Sequence, residues 1–376
     1  MLVELAAGVS LLIWVYLILF RGMFWRIRED RRVMPAPATR RVAIVVPARN
    51  EAETIGPCVA SLAAQTFQGS FHIFVVDDHS SDGTAEIGGQ FASADLLTVT
   101  AAPPLCAGWT GKLWAVEAGI RQAASFQPDY VLFSDADIVH SPTGLVRLVA
   151  CAEAGGYDLV SWMVKLRCET WAEKSLIPAF LFFFFMLYPP AWTEDARRRT
   201  AGAAGGCVLL RWEALRRIGG MEAIRGELID DCALAKAVKS TGGRISLGVT
   251  TGTQSSRGYA TFGEIGRMIS RTAFWQLKHS VALLAGTVAG MCVTYMVPPL
   301  VLLGAKPPAM AAGAVAWALM SGSFIPSLRL YGLSPLWAPA LPLMALFYTG
   351  ATIHSAIRYW TGRGGEWKGR AQDVRR

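Results

Sequence analysis

Charge is scarce in this chain: Asp, Glu, Lys and Arg make up 17% of its 376 residues, while 53% are hydrophobic. So apolar a composition excludes a disordered or low-complexity polypeptide, and it exceeds what a soluble domain of this size needs. Part of the chain is therefore expected in lipid. The sequence also lacks any Cys-x-x-Cys pair. Its seven cysteines (Cys58, Cys106, Cys151, Cys168, Cys207, Cys232 and Cys292) are odd in number and scattered. That excludes a disulfide framework or a zinc site as an expectation, and the globular part reads as reduced and cytosolic. Two further absences matter: there is no internal repeat, and no basic face interleaved with aromatics of the kind that binds nucleic acid.

The positive charge that is present, a formal +8, sits beside apolar runs. Residues 21–41 hold Arg21, Arg26, Arg28, Arg31, Arg32, Arg40 and Arg41, and the tail carries Arg358, Arg363, Lys368, Arg370, Arg375 and Arg376. Such juxtamembrane charge suits anionic headgroups. Leu5 to Phe20 carries no charge, and with its neighbours it approaches the roughly 20 residues of a bilayer-spanning helix. A signal peptide is the rival reading, but Glu4 is the only charge ahead of the run and arginines follow it. The positive-inside rule then puts residue 21 onward in the cytoplasm. Further apolar stretches run over 281–304, 309–326 and 336–353. Three crossings there would carry the basic tail outward, against the same rule, so one is expected to be re-entrant, with Pro298-Pro299 or the proline-rich 335–342 as the place. The aromatic run Phe180 to Phe185, flanked by Pro178, Pro189 and Pro190, suggests an interfacial segment over 176–192. The expected organisation is an anchor (1–21), a basic linker (22–41), a globular domain (42–280), a membrane region of two or three helices (281–356) and a basic tail (357–376).

Within 42–280, short β-branched runs bounded by Gly, Pro, Asp or Ser predict strands at 42–46, 72–76, 130–133, 158–162 and 207–210, and Glu51 to Gln65 has helical spacing. Strand-helix alternation predicts an α/β sheet of mainly parallel strands, with ligands at the carboxyl ends.

Acidic residues cluster at those ends. Pro47-Ala48-Arg49-Asn50-Glu51 follows the first run and Asp77-Asp78-His79-Ser80-Ser81-Asp82-Gly83-Thr84 the second. Carboxylates there can accept from a base N-H or a ribose hydroxyl, although any strand-to-helix turn uses the same residue types. Asp135 and Asp137, at i and i+2 of an extended strand end, face one side and can share a divalent ion. Hard oxygen ligands suit Mg2+ or Mn2+ bridging to phosphates; a solvated loop is the alternative. Asp230 and Asp231 open a helix whose face is Leu234 and Val238. The helix dipole favours acids there regardless, while a carboxylate in a cleft also suits a general base. Lys112, after Gly108-Trp109-Thr110-Gly111, is a phosphate-neutralising candidate or a solvated lysine. Arg267 and Arg271, one helical turn apart, suit a diphosphate or an inner-leaflet anchor.

In this order the clusters resemble the family 2 glycosyltransferases of the GT-A fold, over about residues 42–280. Gly111 to Ala115, Leu176 to Phe180, Gly205-Gly206-Cys207, Leu228 to Ala235 and Arg271 to Leu277 are similar to the hopene-associated glycosyltransferases, relatives of ceramide glucosyltransferase. The resemblance implies a Rossmann-like sheet and a nucleotide-sugar donor, with Pro47, Arg49, Glu51, Asp77 and Asp78 on the nucleotide. It implies Asp135 and Asp137 on Mg2+ or Mn2+ and the diphosphate, Asp231 as base supported by Asp230, and Gly205 and Gly206 at the acceptor. The Gln-x-x-Arg-Trp motif of processive synthases is absent: Met268-Ile269-Ser270-Arg271-Thr272 retains only the arginine. Transfer of one sugar to a lipid hydroxyl is therefore expected, with Arg271 on the leaving group. Processive or polyprenyl-phosphate transfer is the alternative within the class, and a non-catalytic membrane scaffold is the alternative outside it.

Overall fold

The computed structural model describes residues 1–27, 29, 37, 39–93, 95–362, 366–367 and 370–371. Arg28, Arg31 and Arg32 of the basic linker, and Arg363, Lys368, Arg375 and Arg376 of the tail, lie outside the described residues. The chain divides into two units. One comprises 29–167, 192–258 and 366–376; the other comprises 1–28, 168–191 and 259–365.

The first of these is built on one eight-stranded sheet. Its strands are β1 (Arg41–Ala48), β2 (Ser70–Asp77), β3 (Leu97–Ala101), β4 (Tyr130–Ser134), β5 (Ile138–Val139), β6 (Leu159–Lys165), β7 (Cys207–Arg211) and β8 (Ile245–Ser255). Their order is β3-β2-β1-β4-β7-β6-β8-β5. β1, β2, β3 and β4 are parallel to one another, as are β6 and β8, whereas β7 runs antiparallel to both β4 and β6. This is the mixed, Rossmann-like GT-A sheet.

The central strands read as continuous apolar runs because both faces are covered. Along β1, Val42, Ile44 and Val46 pack into one core while Ala43 and Val45 pack into the other. β4 does the same with Tyr130 and Leu132 on one face and Val131 and Phe133 on the other. The helix Gly111–Ala123 lies so close to β1 that a Cβ on Gly119 would meet Val45 Cγ1 at 2.6 Å.

Three strands escape the sequence reading. β3 and β5 are short, and β8 is rich in Thr, Ser and Gly, so its alternating Ile245, Leu247 and Val249 stand out only once paired with β6. The helix expected from Glu51 begins later, at Ile55. The backbone N-H groups of Glu51 and Ala52 donate to Thr84 Oγ1 (2.8 Å) and Asp82 Oδ2 (3.0 Å), so residues 51 and 52 are held by the next loop.

The second unit is helical. Among the described residues, five helices are long and apolar enough to cross a membrane: Leu2–Phe20, Trp171–Glu194, Val281–Leu303, Pro307–Leu330 and Pro335–Trp360. Small residues let them approach: Ala7 of the first packs against Val301 and Ala309. Trp14 is buried, donates from Nε1 to the Thr294 carbonyl (2.8 Å) and meets Tyr295 edge to face. The segment Val281–Leu303 stays helical through Pro298-Pro299. A π-helical turn over Cys292–Met296 accommodates the missing proline donors.

The segment expected to lie at the interface packs against other helices of this unit. Its helix, Trp171–Leu187, starts at a Thr170/Glu173 capping box, and Phe182 is buried against Phe24 and Phe324. Yet β6 before it and β7 after it hydrogen-bond in one sheet. A helix whose two flanks join the same sheet returns to the side it left, whatever its hydropathy. In a cysteine-free variant, Arg121→Cys and Arg197→Cys, which flank the helix in sequence, are therefore expected to label from the same side of sealed vesicles with a membrane-impermeant maleimide. Labelling from opposite sides would show that Trp171–Leu187 crosses.

Candidate active site

Parallel register brings the acidic clusters to one edge of the sheet. Ala48 pairs with Asp77 across β1 and β2, and Val45 with Phe133 across β1 and β4, so residues following these strands emerge together. Asn50 and His79 adopt left-handed φ values of 49° and 54° in the two loops. These loops are stitched to each other: Asn50 N donates to Ser80 Oγ (2.9 Å), and Ser81 N donates to Asn50 Oδ1 (3.0 Å). Arg49 donates to the Asp78 carbonyl, with its guanidinium 3.4 Å from the Asp78 carboxylate. Asp77 is buried. Its Oδ2 accepts from Ser80 N (3.0 Å), whereas its Oδ1 is buried with no protein partner. A carboxylate oxygen left so is costly unless a ligand supplies the donor.

Beside this lies an open cleft of about 370 Å³, lined by Pro47, Lys112, Asp135, Gly205, Asp230 and Asp231 among others. Lys112 is its electrostatic centre. The Thr110 side chain caps the helix Gly111–Ala123 by accepting from Leu113 N, which sets Lys112 in the first turn. Its Nζ lies 2.9 Å from Asp135 Oδ1 and 3.1 Å from Asp230 Oδ2. Burial alone would lower the lysine, but the two carboxylates outweigh it and hold the ammonium above its ordinary pKa. Asp135 is pushed up by burial and by Asp137 and Asp230, against the pull of Lys112. Asp231 is raised to about 7, by burial first and then by the adjacent Asp230 charge, and its Oδ1 accepts from Cys232 N at 2.7 Å. The helix Asp230–Ser240 is fixed by burial of Leu234, Ala235 and Val238, as its spacing predicts.

Gly205 lines the cleft, whereas Gly206 does not and faces Ile138 and Val164. A Cβ on Gly205 would stand 3.3 Å from Asp231 Oδ2, and one on Gly206 would stand 3.1 Å from Ile138 Cδ1. His140, buried and bonded to Ser134 Oγ (2.8 Å), has its pKa lowered to about 4 by burial, so it is a neutral prop under the Asp135 loop.

Asp137 is held differently from Asp135. Its Oδ2 accepts from Ser255 Oγ (2.8 Å) and from Arg257 Nε (3.2 Å), and Arg257 Nη2 reaches Glu51 Oε1 at 2.5 Å and Oε2 at 2.6 Å. Arg257 escapes the sequence reading because β8 does; one sign is its place just past the Ser255-Ser256 end of an alternating strand. Arg271 belongs to the helical unit, as the C-cap of Phe262–Ser270, and is not part of the sheet unit.

Among the described residues, no three His, Cys, Asp or Glu side chains form a group able to hold a metal ion. Two carboxylates nevertheless fit Mg2+ or Mn2+ of the kind that completes its shell with substrate phosphates and water. Asp135 and Asp137 are such a pair, each now balanced by a side-chain cation.

Residues 43–219 match the model of glycosyl transferase family 2. The undecaprenyl-phosphate 4-deoxy-4-formamido-L-arabinose transferase of Serratia proteamaculans is 32% identical over 145 residues, 36% of this chain and 40% of that one. An N-acetylglucosaminyltransferase of Mesorhizobium japonicum is 31% identical over 135 residues, 35% of this chain and 30% of that one. The chain thus spans less than half the length of these curated relatives. In fold it is similar to the mannosyltransferase PcManGT of Pyrobaculum calidifontis, solved in complex with GDP-Man and Mn2+, with a TM-score of 0.59 and 18% identity over 94% of this chain and 99% of that one.

Removing the central cation tests this electrostatic arrangement. Lys112→Met is expected to cost about 1–2 kcal/mol, between an exposed and a buried pair, because the lysine side chain is 21% and the Asp135 side chain 34% exposed. Raised carboxyl groups bind protons more tightly folded than unfolded, so the variant's deficit grows as pH rises from about 4 through 7. Thermal unfolding at pH 5 and pH 8 measures it; an equal loss at both values would contradict the argument.

Proposed function

On the premise of a family 2 glycosyl transferase domain over residues 43–219, we propose a membrane-anchored, inverting transferase that moves one sugar from a nucleotide-sugar, most simply a UDP-sugar, to a lipid hydroxyl. The observation that carries this reading is Asp231: a carboxyl raised to about 7 faces the same cleft as Lys112 and Asp135. A base is thereby set beside a seat for diphosphate.

In this reading Pro47, Arg49, Glu51, Asp77 and Asp78 hold the nucleoside, the bare Asp77 Oδ1 accepting from a base N-H. Asp135 and Asp137 offer oxygen ligands to Mg2+ or Mn2+, whose charge, when bound, neutralises the leaving diphosphate. Lys112 adds a second cation to the diphosphate, and Arg271 is assigned to the same leaving group. Asp231 takes the proton of the acceptor hydroxyl as that oxygen attacks the anomeric carbon from the face opposite the leaving group. Asp230 raises the basicity of Asp231 by its charge and anchors Lys112. Gly205 leaves room for the acceptor beside Asp231, and Gly206 is assigned to the same acceptor. The work is positioning and electrostatics, with no covalent enzyme intermediate. The sheet unit is assigned to the cytoplasmic face of the inner membrane, and a hopanoid or similar polycyclic lipid is the acceptor the sequence motifs favour.

The named Serratia relative favours a second reading, transfer to a polyprenyl phosphate. The two differ in their need for a base. A phosphate monoester loses its second proton near pH 6 and attacks already ionised, whereas a hydroxyl holds its proton about as tightly as water does. Asp231 is superfluous in the first case and required in the second.

With Mn2+, a UDP-sugar and lipid extract, the wild-type protein is expected to release UDP, and Asp231→Asn to lower the rate by about 10²- to 10⁴-fold. Below about pH 7 the wild-type kcat/KM should fall with decreasing pH as Asp231 takes up its proton. Full activity of Asp231→Asn on a hydroxyl lipid would remove the base assignment, and full activity only on polyprenyl phosphate would select the second reading. Turnover no different from Asp135→Ala would leave a scaffold.

A further inference from the structure

Both members of the Asp135/Asp137 pair are already paired with a protein cation, and the two cations are held in different ways. Lys112 sits between Asp135 and Asp230, with a flexible stem and a single charged nitrogen. Arg257 is a fork. One edge, Nε, is on Asp137 Oδ2, and Nη2 lies between the two oxygens of Glu51.

The fork is seated by the backbone that carries it. β5 and β8 pair with Ile138 opposite Ser255, which brings residues 255–257 alongside Asp137. Ser255 Oγ donates to Asp137 Oδ2, Ser256 donates from both N (2.8 Å) and Oγ (2.9 Å) to the Asp137 carbonyl, and Arg257 N donates to Ser255 Oγ (3.3 Å). The guanidinium is thus not a loose surface charge that swings in by chance. Nor can it leave Asp137 by losing a proton, since arginine stays charged at any pH at which the protein folds. A divalent cation that uses Asp137 Oδ2 has to compete with it.

We propose that Arg257 is the resident counter-cation of Asp137: it cedes that carboxylate to the divalent metal while keeping its hold on Glu51, so metal affinity is set by competition with an internal guanidinium. The inference rests on reading Asp135 and Asp137 as metal ligands. Without the metal two monovalent cations face four carboxylates, Asp135, Asp137, Asp230 and Glu51, and a divalent ion on Asp135 and Asp137 brings the charges into balance. Lys112 then keeps Asp230 and Arg257 keeps Glu51, so the metal cancels the excess negative charge that would repel a nucleotide diphosphate. Metal and nucleotide therefore bind with positive coupling, and by linkage each tightens the other equally. Arg257 is a positioning residue here, acting through Asp137 and Glu51.

The test is Mn2+ binding to the full-length protein in detergent, followed by the electron paramagnetic resonance of free Mn2+ with and without UDP. Arg257→Gln is expected to bind Mn2+ roughly ten-fold more tightly than wild type when nucleotide is absent, and to lose most of the tightening that UDP gives the wild type. Arg257→Lys, which keeps the charge, is expected to stay nearer the wild type. Equal or weaker nucleotide-free Mn2+ binding by Arg257→Gln overturns the proposal, as does an absence of Mn2+ binding by both proteins. A measurement on the unaltered chain guards against a variant that fails to fold. Phenylglyoxal modification of Arg257, read by peptide mass spectrometry, is expected to speed up at saturating Mn2+, and an unchanged or slower rate overturns the proposal equally. The outcome is separable from the transferase reading: competition at Asp137 with no nucleotide released from any nucleotide-sugar would leave the competition standing and remove the activity.

Discussion

Like charges brought together in a partly desolvated cleft repel one another, and Glu51, Asp135, Asp137, Asp230 and Asp231 are linked within one such acidic site. Two cations keep that arrangement compatible with a folded state. Lys112 ties the Asp135 loop to the start of the helix Asp230–Ser240, and Arg257 ties the end of β8 to Asp137 and to Glu51. Each joins segments far apart in sequence. The same two contacts that make the cleft tolerable also define its chemistry, because they decide which carboxylates are balanced and which is left to bind a proton.

That residual charge falls on Asp231. Asp230 pairs directly with Lys112, whereas Asp231 is half-buried beside Gly205 and feels the charge of Asp230. Two adjacent carboxylates in one helical turn thus have separate tasks: one holds a cation and the other has a proton affinity near neutrality. Environments that push neighbouring titratable groups apart are how one site assigns acid and base roles. The bare oxygen of Asp77 follows a similar logic, in that the fold bears the cost of an unmet acceptor that a ligand can satisfy.

Membrane attachment and the sheet obey different constraints. Hydropathy marks five helices among the described residues, but the pairing of β6 with β7 limits what Trp171–Leu187 can do, since a sheet cannot be shared across a bilayer. Length and composition identify candidates for crossing; strand pairing requires only that the two flanks of this helix share a side. The π-turn before Pro298 has the same lesson on a smaller scale. Two prolines suggest a break, yet a local widening of the helix absorbs the missing donors and lets the segment continue.

Much was legible from local pattern alone. Continuous apolar runs announced β1, β2, β4, β6 and β7, because strands buried on both faces leave an unmistakable signature, and the acidic residues at their ends stood where parallel strands deliver ligands. The spacing of Leu234 and Val238 placed Asp230 and Asp231 at a helix start. Local pattern could not announce β8, whose polar strand residues are held by pairing with β6 and β5, nor Arg257, whose meaning depends on a register between residues more than a hundred positions apart. It equally left Lys112 as either a solvated lysine or a phosphate ligand, and only the distances to Asp135 and Asp230 made it the cation of the cleft. Sequence determined which groups carry charge and which segments are apolar, since those are properties of single residues and their neighbours. Tertiary structure decided which charges meet, because Coulomb energy and desolvation depend on separations and burial that no local spacing contains.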